Sequence, residues 1–144
     1  QGEVHDENAH ILGGVSGHAG VFSTASDIGK YGQMLLNDGI WMGRRIFKNK
    51  QVKKFTELHY LPIDSERTLG WDTPSRNGKS SAGDYFSTST FGHLGYTGTS
   101  LWIDPENQII VVLLTNRVHP TRERGEIYGV RREFHSQVMK ILLN

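Results

Sequence analysis

The chain has 144 residues and a formal net charge of +1, enough length for one domain with a core of its own. Its scattered Lys and Arg leave no footprint for nucleic acid, and no apolar run approaches the roughly 20 residues of a membrane helix. There is no cysteine, which excludes disulfides, thiolate metal sites and a Cys nucleophile and leaves the redox compartment open.

Residues 1–22 are polar and Gly-rich, with Gly13, Gly14, Gly17 and Gly20 and the histidines His5, His10 and His18. They read as a loop held against something rather than as a regular element. His5, Asp6, Glu7 and His10 lack His-Glu-x-x-His spacing, so hydrogen bonding within the loop is the reading and no metal is expected. Thr24 and Asp27 mark a helix start, with Ile28, Tyr31, Met34 and Leu35 on one apolar face and Asn37-Asp38-Gly39 as the stop. Arg44 to Phe47 reads as a short extended link. A second short helix is expected after Asn49, with Val52, Phe55 and Leu58 inward. The doublets Arg44-Arg45, Lys53-Lys54 and Arg131-Arg132 read as solvated faces.

Residues 60–90 are loop-rich, with one strand expected at Thr68-Leu69-Gly70-Trp71. Ser80-Ser81 and Ser87 to Ser89 read as exposed loop. Phe91 to Thr97 is expected as a strand, and Thr99 to Ile103 continues it or forms the next after a bend at Gly98. Gln108 to Thr115 is its partner beyond a turn at Asp104-Pro105-Glu106-Asn107, where the fixed φ of Pro suits a type I turn. The unbroken run Ile109 to Leu114 predicts a strand covered on both faces, which needs neighbours on both sides. A long loop through His119-Pro120-Thr121-Arg122 leads to a last helix, where Ile127, Phe134, Val138, Ile141 and Leu142 recur at near-helical spacing. The order helix, helix, strand, hairpin, helix predicts an α+β domain, an antiparallel sheet with packed helices. A start at Gln1 without methionine suggests a piece of a longer product.

His93-Leu94-Gly95-Tyr96-Thr97-Gly98-Thr99-Ser100 carries the chemistry. Glycines in a strand let a ligand or another backbone come close, and free main-chain N–H groups can stabilise a developing negative charge. Three segments together resemble the serine β-lactamase and penicillin-binding-protein superfamily, in its class C β-lactamase-like branch. Gly13 to Ile28 is similar to the family's Gly-rich loop entering a helix. Leu69-Gly70-Trp71 resembles its "(Y)GLGW" strand, and His93 to Gly98 its Lys-Thr-Gly or His-Thr-Gly motif with the downstream strand pair. The match spans nearly the whole chain. It implies a partial β-lactamase/transpeptidase-like fold in which residues 1–144 form a single domain, the carboxy-terminal portion of a serine hydrolase.

In that family a serine attacks an acyl carbon, a lysine and a tyrosine move protons, and two main-chain N–H groups hold the oxyanion. The resemblance implies that the N–H of Tyr96 is one such donor and that Gly95 lets the strand approach the substrate. It places His93 where the family has Lys or His, to bind a substrate carboxylate or tune proton transfer, with a charge that titrates near neutral pH. The alternative is that His93 is only a polar edge residue. Leu94 departs from the family's Thr and removes a substrate hydrogen bond, for which Thr97 or Thr99 could substitute. Thr97, Gly98, Thr99, His5 and Asp6 are the expected substrate-binding residues. Arg117, His119 and Arg122 either line the cleft or form a solvated face, and Trp71 and Trp102 read as packing residues, with Trp102 beside the motif strand open to either role.

No lysine has a serine three residues before it, and no tyrosine has an asparagine two residues after it. The family's Ser-x-x-Lys and Tyr-x-Asn motifs are therefore absent, and the expectation is a chain inactive alone whose partner is the rest of a parent chain. The implied parent is a bacterial serine hydrolase of the periplasm, cell envelope or secreted space. It would act through an acyl-enzyme on an ester, amide, peptide or lactam, with a small-molecule or cell-wall peptide substrate and no cofactor. The rival reading is a non-catalytic module for cell-wall peptide or glycan. An exposed sheet edge suggests a possible homodimer.

Overall fold

The computed structural model describes residues 2–58, 65–75, 80–123 and 125–144. The amino terminus is irregular over 12–22, as expected, but residues 7–11 depart from the loop reading. Helix α1, Glu7–Ile11, starts where the Asp6 carboxylate accepts the Ala9 N–H at 2.8 Å. Five residues are too few for a periodic pattern, so only the capping residue could have signalled it. Helix α2, Ala25–Leu36, begins as expected, with Thr24 Oγ1 accepting the Asp27 N–H and Lys30 reaching Asp27 at 2.7 Å. It stops at Gly39, whose φ of +86° suits glycine and whose N–H bonds Met34 O at 2.9 Å. Met34 and Leu35 are buried, whereas Tyr31 lies at the edge of that face and is exposed.

The expected link at Arg44 is half of a hairpin. Strands β1, Ile40–Trp41, and β2, Arg44–Arg45, pair through Met42 and Gly43, both at positive φ, as a two-residue hairpin turn requires. Helix α3, Asn49–Thr56, buries Val52 but leaves Phe55 half-exposed, against expectation. Three residues on, a side chain sits about 60° round the helix, and this short helix presents only a narrow stripe to the core. The strand expected at Thr68–Trp71 is instead a tight turn. The Thr68 N–H bonds Trp71 O and the Gly70 N–H bonds Thr68 O, both at 2.9 Å, flanked by single bridges Arg67–Asp72 and Asp72–Gly92. Of the expected 60–90 loop, residues 60–64 and 76–79 lie outside the described residues. Ser80 is buried, contrary to the exposed-loop reading.

The main sheet has the order β3-β4-β5, all antiparallel, from Phe91–Leu94, Ser100–Asp104 and Ile109–Leu113. β3 ends at Leu94, three residues earlier than expected, because Gly95 to Thr99 form the turn into β4. Every residue of β4 is buried. Leu101 and Ile103 face Met34 and Leu35 of α2, while Ser100 and Trp102 face α4, Ile127–Leu142. β5 is thus not the central strand. It has helices on both faces but is only half-buried, since its outer edge has no strand partner among the described residues. Trp102, 2% exposed, is a core residue.

Helix α4 corrects the sequence reading most. Its buried side is Ile127, Arg131, His135, Ser136 and Met139, while Ile141 and Leu142 are exposed. Arg131, read as part of a solvated doublet, is 4% exposed; Arg132 does sit at the surface, paired with Asp84 at 2.8 Å. His135 is fully buried against Trp102, Phe86 and Phe134, with Nδ1 on Ser81 O at 2.7 Å and Nε2 on Ser100 Oγ at 3.1 Å. One arrangement satisfies both nitrogens: Nδ1–H donates to the carbonyl and Nε2 accepts the serine hydroxyl.

At the other end of β4 the buried Asp104 carboxylate accepts from the Ser87 N–H and hydroxyl (2.9 and 2.6 Å). It also takes the Asn107 N–H and amide (3.1 and 2.8 Å) and the Glu106 N–H (3.1 Å). Burial by itself would raise its pKa, but the bonds from Ser87 and Asn107 outweigh it and hold the carboxyl below its usual value. Asp104→Ala removes the shared acceptor of five part-buried hydrogen bonds and is expected to cost about 3 kcal/mol, read as a lower urea midpoint. A loss under about 1 kcal/mol would show that water replaces the carboxylate freely. Burial, followed by the nearby Arg131 charge, lowers the pKa of His135 against the opposing Ser81 bond. Its neutral form is therefore fully stabilising above the unfolded value of about 6.5, and that stability drains as pH falls from there toward the folded pKa. Urea midpoints at pH 7.5 and 5.5 should diverge in the natural chain and converge in His135→Gln; equal slopes in both would remove His135 as the cause.

Candidate functional site

The turn from Gly95 to Thr99 is held from three sides. Within it, the Gly95 N–H bonds Thr99 O at 2.8 Å and the Gly98 N–H bonds Gly95 O at 3.0 Å. From α4, Arg131 Nη2 donates to Gly95 O at 2.5 Å and Thr99 O at 2.7 Å. From the segment after β5, the Arg117 N–H bonds Thr97 O at 2.8 Å, Arg117 Nε bonds Tyr96 O at 2.7 Å, and Thr115 Oγ1 bonds Gly98 O at 2.6 Å. The Arg117 guanidinium also lies 4.1 Å over the Tyr96 ring, and His5 stacks on that ring at 5.6 Å.

The glycines of the motif are explained by this packing. A Cβ on Gly95 would fall on the Thr99 hydroxyl. Gly98 has φ of +111°, and a Cβ there would lie 2.5 Å from Thr115 Oγ1. Both glycines let the turn close on itself, whatever a substrate requires.

Backbone alternation decides which groups face outward. The Gly92 N–H and C=O pair with Asp72, away from β4, so those of His93 point to β4 and those of Leu94 point out again. Gly95 turns in toward Thr99, which leaves the Tyr96 N–H outward, with no acceptor among the described residues. The outer edge of β3 is therefore closed at Gly92 and open from Leu94 to Tyr96. His93 is exposed beside this edge, its Nδ1 on Leu94 O at 2.9 Å. Two clefts of about 260 Å³ flank Leu94, one toward Tyr96, Tyr128 and Arg131 and the other toward Asp72, Ser80 and Trp102.

Of the residues expected from sequence, His93, Gly95, Tyr96, Thr97, Gly98 and Thr99 lie along this edge and turn, and His5 is brought to them by its stack on Tyr96. Asp6 sits next to His5 with its carboxylate occupied. It caps α1 and bonds His18 Nε2 at 2.9 Å, and the Ala9 N–H followed by His18 lowers its pKa. Arg122 bonds Glu7 at 2.6 Å, tying α1 to the loop beyond β5 and lowering the Glu7 pKa. Both Arg117 and Arg122 border the turn. Sequence reasoning missed Arg131. Its signal was an i, i+4 stripe, Ile127, Arg131, His135 and Met139, hidden because two of the four are polar. Among the described residues no group of three or more His, Asp or Glu side chains converges as a metal site.

The family model described as Beta-lactamase matches residues 1–135. The chain belongs to the beta-lactamase family. A Salmonella typhi protein named "Putative D-alanyl-D-alanine carboxypeptidase" is 43% identical over 123 residues, 82% of this chain and 27% of that protein. One of the same name from Salmonella enteritidis is 42% identical over the same shares. The chain thus spans about a quarter of the length of these relatives. A beta-lactamase crystal structure from Mycobacterium bovis superposes with TM-score 0.67 at 20% identity, over 86% of this chain and 46% of the other, which establishes the shared fold.

Gly95→Ala is expected to lose about 1–3 kcal/mol through the clash with Thr99, and much less in a Thr99→Ala background. A double-mutant cycle by urea unfolding checks this, and identical costs in both backgrounds would place the constraint in the backbone instead.

Proposed function

We propose that the chain forms the oxyanion wall of a bacterial β-lactamase-like serine hydrolase, as the carboxy-terminal portion of that catalytic domain. The observation that carries this is the outward Tyr96 N–H, without an acceptor among the described residues, at the end of the motif strand. In this reading a serine supplied by the preceding part of the parent attacks an acyl carbon held along the open edge of β3. The carbonyl oxygen becomes an oxyanion that accepts the Tyr96 N–H and a second main-chain N–H. The bond to the leaving amine or alcohol breaks as that group takes a proton. Water then attacks the acyl-enzyme, releasing the acid and returning the serine. His93, exposed beside the edge, meets the substrate carboxylate, and Thr97, Gly98, Thr99 and His5 shape the cleft around Tyr96. The likeness to proteins named as carboxypeptidases favours a cell-wall peptide as substrate and the envelope or periplasm as location. Among the described residues no helix is long and apolar enough to cross a membrane, so an envelope location would not rest on one here. The chain alone is inactive in this reading, since it contains no Ser-x-x-Lys.

A second reading is supported by Leu94, an apolar residue lining both clefts where the family places Thr. It makes the domain a non-catalytic binder of cell-wall peptide or glycan. A fluorophosphonate serine probe, read by intact mass, separates the two. Label on the full-length parent and none on the 144-residue chain is the expected outcome. Absence of label on both favours the binder, and label on the short chain would refute the assignment of the nucleophile to the parent.

A further inference from the structure

We infer that Arg131 is a positioning residue that fixes and polarises the Gly95–Tyr96 peptide, so that the Tyr96 N–H is held toward the site as a strengthened donor. The inference rests on the proposed role of that N–H in the parent hydrolase.

The Gly95 carbonyl and the Tyr96 N–H belong to one planar peptide unit. Its bond is trans, since the one cis peptide among the described residues is His119–Pro120. The two groups therefore point in opposite directions, and whatever holds the carbonyl inward holds the N–H outward. Arg131 Nη2 bonds that carbonyl at 2.5 Å and the Thr99 carbonyl, across the mouth of the turn, at 2.7 Å. Each carbonyl takes a second bond from within the turn, Gly95 O from the Gly98 N–H and Thr99 O from the Gly95 N–H. The two bonds to Gly95 O directly oppose a flip of the peptide that glycine at position 95 would otherwise allow, and the two to Thr99 O hold Arg131 and the mouth of the turn in place. A cation at the carbonyl oxygen also withdraws electron density from the shared amide, and chains of hydrogen bonds strengthen one another by roughly 10–30% per bond.

Stability alone does not account for this residue. Arg131 is 4% exposed, has no carboxylate within ion-pair distance among the described residues, and leaves Nε without a partner there. Burying a guanidinium against neutral carbonyls is expensive, and a Leu or Met would fill the same space at lower cost. What an apolar side chain could not do is set the direction and polarity of one peptide.

The test uses the full-length parent labelled with 15N-tyrosine, in which Tyr96→Phe identifies the Tyr96 amide signal by its loss. That signal should shift when a boronic acid transition-state analogue binds. In Arg131→Gln it should move upfield in the free protein, and kcat should fall about 10- to 100-fold with KM within about threefold, short of the loss on removing an oxyanion donor outright. Arg131→Lys, a point charge that reaches one carbonyl, should fall between, and it provides the readout if the Gln variant does not fold. An unmoved Tyr96 signal in both variants, or a kcat loss no larger than the loss of folded protein, overturns the inference. A Tyr96 signal that ignores the boronic acid in the natural sequence instead overturns the underlying role of Tyr96, and the positioning role goes with it.

Discussion

The five carbonyls of the turn from Gly95 to Thr99 are all engaged by hydrogen bonds, and the Tyr96 N–H points outward. Much of the molecule serves to hold that turn. The inward carbonyls of Gly95 and Thr99 are taken by Arg131, and those of Tyr96, Thr97 and Gly98 by Arg117 and Thr115. The bonds come from two different elements, α4 and the segment after β5, so the turn is rigid only if the sheet and the last helix are docked. In a loop of ordinary mobility the same N–H would spend its time bonded to water or to its own chain.

The docking is energetically uneven. Trp102, Ile103 and Met139 are essentially inaccessible, and burial of each such side chain is worth about 1.5–3 kcal/mol. Exposed pairs such as Lys30–Asp27 and Arg132–Asp84 add little, so apolar burial on both faces of β4 supplies most of the cohesion, Leu101 and Ile103 toward α2 and Trp102 toward α4. The α4 face is different. Arg131, His135 and Ser136 lie inward there, and each is held by polar partners: Gly95 and Thr99, Ser81 and Ser100, and Asp84. The α2 side of the sheet is packed by apolar contact, and the α4 side adds to its apolar contacts polar groups that fix the positions of particular backbone atoms.

That division explains what the sequence could disclose. Periodicity located α2, the β4–β5 hairpin and the caps at Thr24 and Gly39, because apolar burial writes itself as spacing. The motif at His93 to Gly98 marked the candidate site. Periodicity was only partly right on α4, where the register of Ile127, Phe134, Val138, Ile141 and Leu142 caught the buried Ile127 but also the exposed Ile141 and Leu142, and passed over Arg131 and His135. A buried cation satisfied by carbonyls has no sequence signature, since its partners are backbone atoms brought from 36 and 32 residues away. The same holds for Arg117 and for the link from Glu7 to Arg122. The strand at Thr68–Trp71 failed for a simpler reason: Gly70 takes a positive φ, and four residues suffice to turn.

The exposure of the site sets the last constraint. Tyr96 is 59% exposed, and a donor facing bulk water gains little from meeting an anion, because solvent offers the anion equal company. Preorganised N–H groups stabilise an oxyanion strongly only where water is excluded and the low dielectric magnifies each bond. On the proposed function, a rigid wall open on one side thus has half of what catalysis needs. The surface that brings the nucleophile would also have to roof the β3 edge from Leu94 to Tyr96 and displace its water. Under the proposed reading, closing the cleft and supplying the serine are one event, and the chain's inactivity alone follows from the missing roof as much as from the missing hydroxyl.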